Sequence, residues 1–197
     1  MAYTTIDNPE LYFQAKAYSG DGSAQSITLD GSEDMAINLY WGKRLNSSAE
    51  HEIYDTVRGV TKYISSDSNA LEQTNTNGLS AFGSNGFTLA GNSSINNGSI
   101  VAWCWVESAT PGFDIVTATG NATAKTISHS LSAVPHVIFS KEKSGSVNDW
   151  VVYHHRNTSA PETDNLILNE IMQQVIILIG MTQLQHQASL VWEQDQL

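Results

Sequence analysis

The sequence predicts an all-β protein of tandem β-sandwich or jelly-roll-like units, the second of them truncated. Three observations carry this. Short apolar or alternating runs recur between clusters of Gly, Asn, Ser and Asp, at the spacing of strands and turns. Helical periodicity is nearly absent. The third observation is an internal repeat: Phe13 lines up with Phe113, Gly20 with Gly120, Ala24 with Ala124 and Ile27 with Ile127. After small gaps, Leu39-Tyr40-Trp41-Gly42-Lys43 falls over Val137-Ile138-Phe139-Ser140-Lys141, and Ile53-Tyr54 over Val152-Tyr153. A period of about a hundred residues is that of a small domain rather than of a solenoid rung. The expected units are residues 1–108 and 112–170, followed by a tail, 171–197.

In order, residues 11–18 read as a first strand, and the turn Ser19-Gly20-Asp21-Gly22-Ser23 leads into a second at 25–29. Residues 37–41 are apolar enough for a buried strand and end at Gly42 and a polar turn; 51–54 and 61–65 follow. The stretch 66–79, rich in Ser, Asn and Thr, reads as a long loop. Strands are expected next at 86–89 and 100–106, with a turn at 92–99. In the latter strand, Ile100, Ala102, Cys104 and Val106 share one face and Val101, Trp103 and Trp105 the other. Both faces are apolar, which marks a central strand. Glu107 to Gly112 links to the second unit, with strands expected at 113–117, 125–129, 134–139, 150–153 and 166–168.

Of 197 residues, 41% are hydrophobic and 15% charged, enough for a packed core without a membrane-spanning composition. The net charge of −11 sets a field that repels nucleic acid and anionic membrane surfaces, so neither direct DNA binding nor membrane insertion is expected. The one cysteine, Cys104, has no partner for an internal disulfide, leaving packing to hold the fold. Met1 to Glu10 is polar and lacks the apolar segment of a secretory leader, so a role outside a cell is expected to be reached by assembly or lysis.

Chemistry-bearing motifs are sparse. His154 and His155 are adjacent, and neighbours on a strand point to opposite faces, so the pair does not read as a chelate. The acidic loop Asp30-Gly-Ser-Glu33-Asp34 has oxygen ligands suited to calcium but lacks the spacing of an EF-hand loop. No phosphate-binding loop, nucleophile elbow or zinc spacing is present, and no strand spacing suggests facing carboxylates for glycoside hydrolysis. The expectation is no catalytic residue, no metal and no cofactor. Five Asn-x-Ser/Thr triplets, from Asn46, Asn92, Asn97, Asn121 and Asn157, match what chance gives in this composition. Aromatic rings with a polar handle suit sugar faces. Trp41, Trp103 and Trp105 read mainly as core, whereas Trp150 lies beside the polar turn 144–149. Trp150, Tyr153 and Asp149 therefore form the candidate ligand-binding set.

Several phrases occur together: Asp55-Thr-Val-Arg58-Gly59, Gly86-Phe-Thr-Leu, Val101-Ala-Trp-Cys-Trp, Gly112-Phe-Asp-Ile-Val and Trp150-Val-Val-Tyr-His. In this order, over residues 1 to about 170, they resemble an uncharacterised domain family of marine bacteriophage virion proteins. Cys104 stands where that family usually has Asn between the two tryptophans. The resemblance implies lectin-like, concanavalin-type β-sandwiches in tail-fibre or other appendage proteins, and it carries no catalytic residue onto this chain. The implied function is non-enzymatic: a virion structural protein displaying lectin-like domains that contact host-surface glycans. A structural spacer or capsid decoration without ligand is the alternative, and a glycan depolymerase the weakest reading. The implied partners are other virion proteins, a host-surface glycan and further copies of the chain; the implied location is the virion.

Composition breaks after Glu170. Residues 1–170 hold fifteen Asn and three Gln, whereas 171–197 hold no Asn, seven Gln and the apolar run Val175-Ile-Ile-Leu-Ile179. That run is too short to span a membrane and has the character of an aggregation-prone strand. One permissible set of codons for the tail, read in a shifted frame, gives NATGNNSYWNDTAPTSSVFSVGAGSV without a stop. Its SSVFSVGAGS matches Ser84 to Ser93 of the first unit. The expectation is a frameshifted, non-native tail that packs poorly and leaves the second unit without its final strands, its sheet edge unpaired or patched by Val175 to Ile179. Sequencing the encoding DNA tests it.

Overall fold

The computed structural model describes residues 6–170 and 190–191. Nearly all of its regular structure is β, in several antiparallel sheets, as an all-β sandwich fold requires. In the first unit the strands are β1 (Phe13–Asp21), β2 (Gln25–Thr28), β3 (Leu39–Arg44), β4 (Glu52–Asp55), β5 (Lys62–Ser65), β6 (Gln73–Thr74), β7 (Leu79–Gly83), β8 (Gly86–Leu89) and β9 (Asn97–Trp105). The second unit has β10 (Thr126–Ile127), β11 (Val137–Ser140), β12 (Val151–His154) and β13 (Leu166–Ile167), and β14 (Leu190–Val191) pairs with β10.

Six strands form one sheet of the first unit in the order β1-β9-β3-β4-β5-β6, and β2-β8-β7 form the other. Alternation explains how they meet. Ala102 and Cys104 of β9, Tyr40 of β3 and Tyr54 of β4 point inward and are fully buried, against Ile27, Phe87 and Leu89 from the smaller sheet and Leu29 just after β2, and Ile100 is fully buried on the same face of β9. The ring of Tyr40 lies over Gly42, where a Cβ would stand 2.1 Å from the tyrosine oxygen, so β3 needs glycine there. Gly86, with φ of +117°, lets β8 approach the Ile27 carbonyl, which a Cβ would meet at 2.1 Å. Polar groups in this core are paired. The Tyr40 hydroxyl lies 2.8 Å from that of Tyr18, which donates to the Ile95 carbonyl at 2.7 Å. Buried Asn96 donates to the carbonyls of Ser23 and Gly91, each at 2.8 Å, and accepts from Gln25 at 2.5 Å.

The sequence repeat is a repeat of strand register. In the first unit Leu39 pairs with Asp55, Tyr40 with Tyr54 and Trp41 with Ile53; in the second Val137 pairs with His154, Ile138 with Tyr153 and Phe139 with Val152. Each pair maps onto the other through the alignment read from sequence. Ile53 opposite Ile64 likewise becomes Val152 opposite Leu166. Ile27 of β2 pairs with Phe87 of β8, and its counterpart Ile127 pairs with Leu190 of β14, so β14 occupies the position of β8.

Two expectations are corrected. Residues 66–79 are not one open loop, since they contain β6 and reach the start of β7, a strand the sequence reading lacked. Residues 113–117 form no strand; Phe113 makes only a bridge to Ser108. The counterpart β1 is held by nine residues of β9, and among the described residues the second unit has no strand equivalent to β9. The run Val175 to Ile179 and the packing of most of the tail lie outside the described residues.

Candidate functional site: an aromatic outer sheet face

The outward residues of the six-stranded sheet are aromatic where the inward ones are core. Register sets Phe13, Trp105 and Leu39 in one row across β1, β9 and β3, and Ala15, Trp103, Trp41, Ile53 and Ile64 in the next. The rings touch in series. Phe13 lies 4.9 Å from Trp105, Trp105 lies 6.3 Å from Trp41, and Trp41 lies 6.4 Å from Trp103. Phe113, just beyond the linker, stacks on Trp105 at 6.2 Å. The indole nitrogen of Trp41 donates to Nδ1 of His51 at 3.3 Å, and burial lowers the basicity of that imidazole, as suits a ring acting as acceptor. Trp41, Trp103 and Trp105, read from sequence mainly as core, are instead half-buried on the outer face.

This face is divided. Over β4 and β5 it is covered by the second unit, where Trp150 packs on Ile53 and Ile64, flanked by Leu39, Trp41 and Leu168. The Trp150 indole donates to the Ser65 carbonyl at 2.7 Å, and the residue is only 5% exposed. Over β1 and β9 the face is open: Phe13 is 40% exposed, and Ala15 and Ala17 beside the tryptophans are exposed as well.

The candidate set Trp150, Tyr153 and Asp149 is thus corrected. Trp150 is an anchor between units, with no free ring face for a ligand. Tyr153 lies on β12 opposite Ile138 and, three residues from Trp150, on the other face of the strand. Asp149 accepts from the amide of Asn169 at 2.8 Å, while the Asn169 oxygen accepts from the Trp150 backbone at 2.7 Å. That carboxylate braces the anchor. The signal missed in the sequence is Phe13-x-Ala15-x-Ala17, an outward row that becomes meaningful only beside Trp103 and Trp105.

The other motifs are accounted for locally. Asp30 pairs with Lys16 at 2.8 Å and Asp34 accepts from Asn85 at 2.7 Å, so the acidic loop spends two of its carboxylates on separate partners. His155 stacks on His136 at 4.1 Å and meets His154 edge-on at 5.3 Å; burial and the neighbouring cations hold His155 below its usual basicity. Among the described residues no group of three or more His, Cys, Asp or Glu is arranged to hold a metal ion. Arg58 closes the β4–β5 turn on Asp55 at 2.5 Å and on the Ile53 carbonyl at 2.9 Å. Glu52 is buried, accepts from Tyr54 at 2.5 Å and from Ser94, and is raised by burial to about 7. Facing the closed core, it is an internal group rather than one presented to solvent.

A domain of unknown function, DUF7483, matches residues 8–192, spanning both units. The chain belongs to this family. No curated protein and no solved structure matches it. The matched span covers the six-stranded sheet, the Trp150 anchor and β14 alike, so the aromatic face and the unit that half covers it lie within one family domain.

Proposed function

We propose that the chain is a non-enzymatic recognition module that holds glycan surfaces against the open part of the outer aromatic face, within a bacteriophage tail fibre or other appendage. The observation that carries the ligand class is the contiguity of Phe13, Trp105 and Trp103 beside exposed Ala15 and Ala17. Planar rings match the C–H faces of sugars, and indole N–H groups offer donors to hydroxyls. Small residues beside them leave room for a flat ligand to lie across β1. The virion setting rests on the sequence resemblance, and with it come other virion proteins as partners and the virion as the location.

A structural spacer without ligand is the second reading. Its support is that the β4–β5 half of the same face is spent on Trp150 and Leu168, as a purely packing surface would be. A glycan array separates the two: the module predicts binding that Trp103→Ala and Trp105→Ala abolish, whereas the spacer predicts no bound glycan. Assay of reducing ends released from host polysaccharide is expected to show no depolymerase activity.

A further inference from the structure

The duplication identifies an edge in the second unit whose first-unit counterpart is filled. In the first unit β3 lies between β4 and β9, and the two tryptophans of β9 pack around Trp41. In the second, β11 pairs with β12, and among the described residues no strand lies along its other edge. Phe139, the counterpart of Trp41, is 53% exposed, and Val137, the counterpart of Leu39, is 42% exposed. The direction of the unpaired backbone groups follows from one bond. The His136 carbonyl accepts from His155 beside β12, so by alternation Ile138 also faces β12, and the N–H and C=O of Val137 and Phe139 face outward.

Natural sheet edges are usually blunted by charge, proline or a bulge. The strand Val137-Ile-Phe-Ser140 carries none of these within its span, although Pro135 and Lys141 bound it and confine the open edge to these four residues. We propose that this edge is an interface between two copies of the chain, β11 pairing antiparallel with β11 of the partner about a two-fold axis normal to the sheet. A strand paired antiparallel with itself is an isologous contact, the self-complementary kind that closes a dimer. One register satisfies both copies. With Ile138 opposite its own mate, Val137 of each copy exchanges both backbone hydrogen bonds with Phe139 of the other, so every outward group of these residues is paired. The same register sets the two valines against the two phenylalanines on one face, a favourable β-branched and aromatic pairing. It also joins two three-stranded sheets into one of six strands, the number in the large sheet of the first unit. A second copy fits better than a charged partner strand, because β11 offers no side-chain charge to recognise one.

Sedimentation of the full chain across a wide concentration range tests this. The expected result is a monomer–dimer equilibrium that Phe139→Lys shifts to monomer and that Val147→Lys, exposed but off the strand, leaves unchanged. Because Phe139 is more than half exposed, the lysine variant is expected to keep the circular dichroism of the wild type. In a second measurement, Ile138→Cys is expected to cross-link two chains under mild oxidation. Its mates occupy a non-hydrogen-bonded pair, where Cα atoms approach to about 4.5 Å. Buried Cys104, its thiol pushed up to about 12, stays inert. A monomer at every concentration overturns the proposal. So does a dimer that survives Phe139→Lys, or dimeric Ile138→Cys protein that does not cross-link.

Discussion

The indole nitrogen of Trp150 donates to the carbonyl of Ser65, 85 residues earlier in the chain, at 2.7 Å. That bond and the ring's burial against Ile53 and Ile64 join the second unit to the outer face of the first. Trp150→Ala is expected to cost about 3–5 kcal/mol in chemical unfolding, the range for emptying a large buried aromatic site. Trp150→Phe keeps most of the apolar contact and loses the hydrogen bond, at about 1–2 kcal/mol. Hydrogen exchange places the effect: protection is expected to fall at Ser65 and across β12, and to persist in β9. Loss spread evenly over both units would show that Trp150 is not a joint.

Glu52 makes stability depend on pH. Its folded value of about 7 lies above the ordinary 4.5, so the fold prefers the protonated acid. The stabilising contribution is complete below about pH 4.5 and is lost as pH rises through about 7, reaching about 3 kcal/mol over that window. Glu52→Gln mimics the neutral acid. It is expected to match the wild type near pH 4.5 and to exceed it in urea unfolding at pH 8. A variant less stable than the wild type at pH 8 would mean that the ionised carboxylate is well accommodated.

Asn96 ties two segments through its side chain, the entry into β2 at Ser23 and Gln25 and the loop after β8 at Gly91. Asn96→Ala removes the donor from the Ser23 and Gly91 carbonyls, where each buried orphan costs about 1–3 kcal/mol, while the Gln25 amide keeps the Ser19 carbonyl at 3.3 Å. Asn96→Asp keeps the size but replaces a donor with an acceptor facing those carbonyls, so it is expected to destabilise at least as much at neutral pH. Thermal unfolding of the two variants beside the wild type measures both effects, and an Asp variant as stable as the wild type would contradict the donor assignment.

Strand content and the duplication were legible because they are local or self-referential. Alternation in Ile100 to Trp105 separates two faces without any partner, and the spacing of Leu39-Tyr40-Trp41 from Ile53-Tyr54 recurs in Val137-Ile-Phe from Val152-Tyr153. The fate of a face is not local. Trp150 beside a polar turn reads as exposed until Ser65, Ile53 and Ile64 are known to lie opposite it. Residues 113–117 have the pattern of a strand and none of its pairing, because pairing depends on a neighbour that the pattern does not contain. Strand β7 was hidden for the opposite reason: Leu79-Ser-Ala-Phe-Gly83 is weakly patterned and bulged, yet a buried Leu79 and the ladder to β8 hold it.

The glycan-binding account is tested most directly by following the indole N–H resonances of the tryptophans while a saccharide identified on the array is titrated in. The account predicts that Trp103 and Trp105 shift and saturate together, that Trp150 does not move, and that Phe13→Ala weakens binding without unfolding the chain. Shifts centred on Trp150, or saccharide binding that leaves Trp103 and Trp105 unmoved, would contradict it.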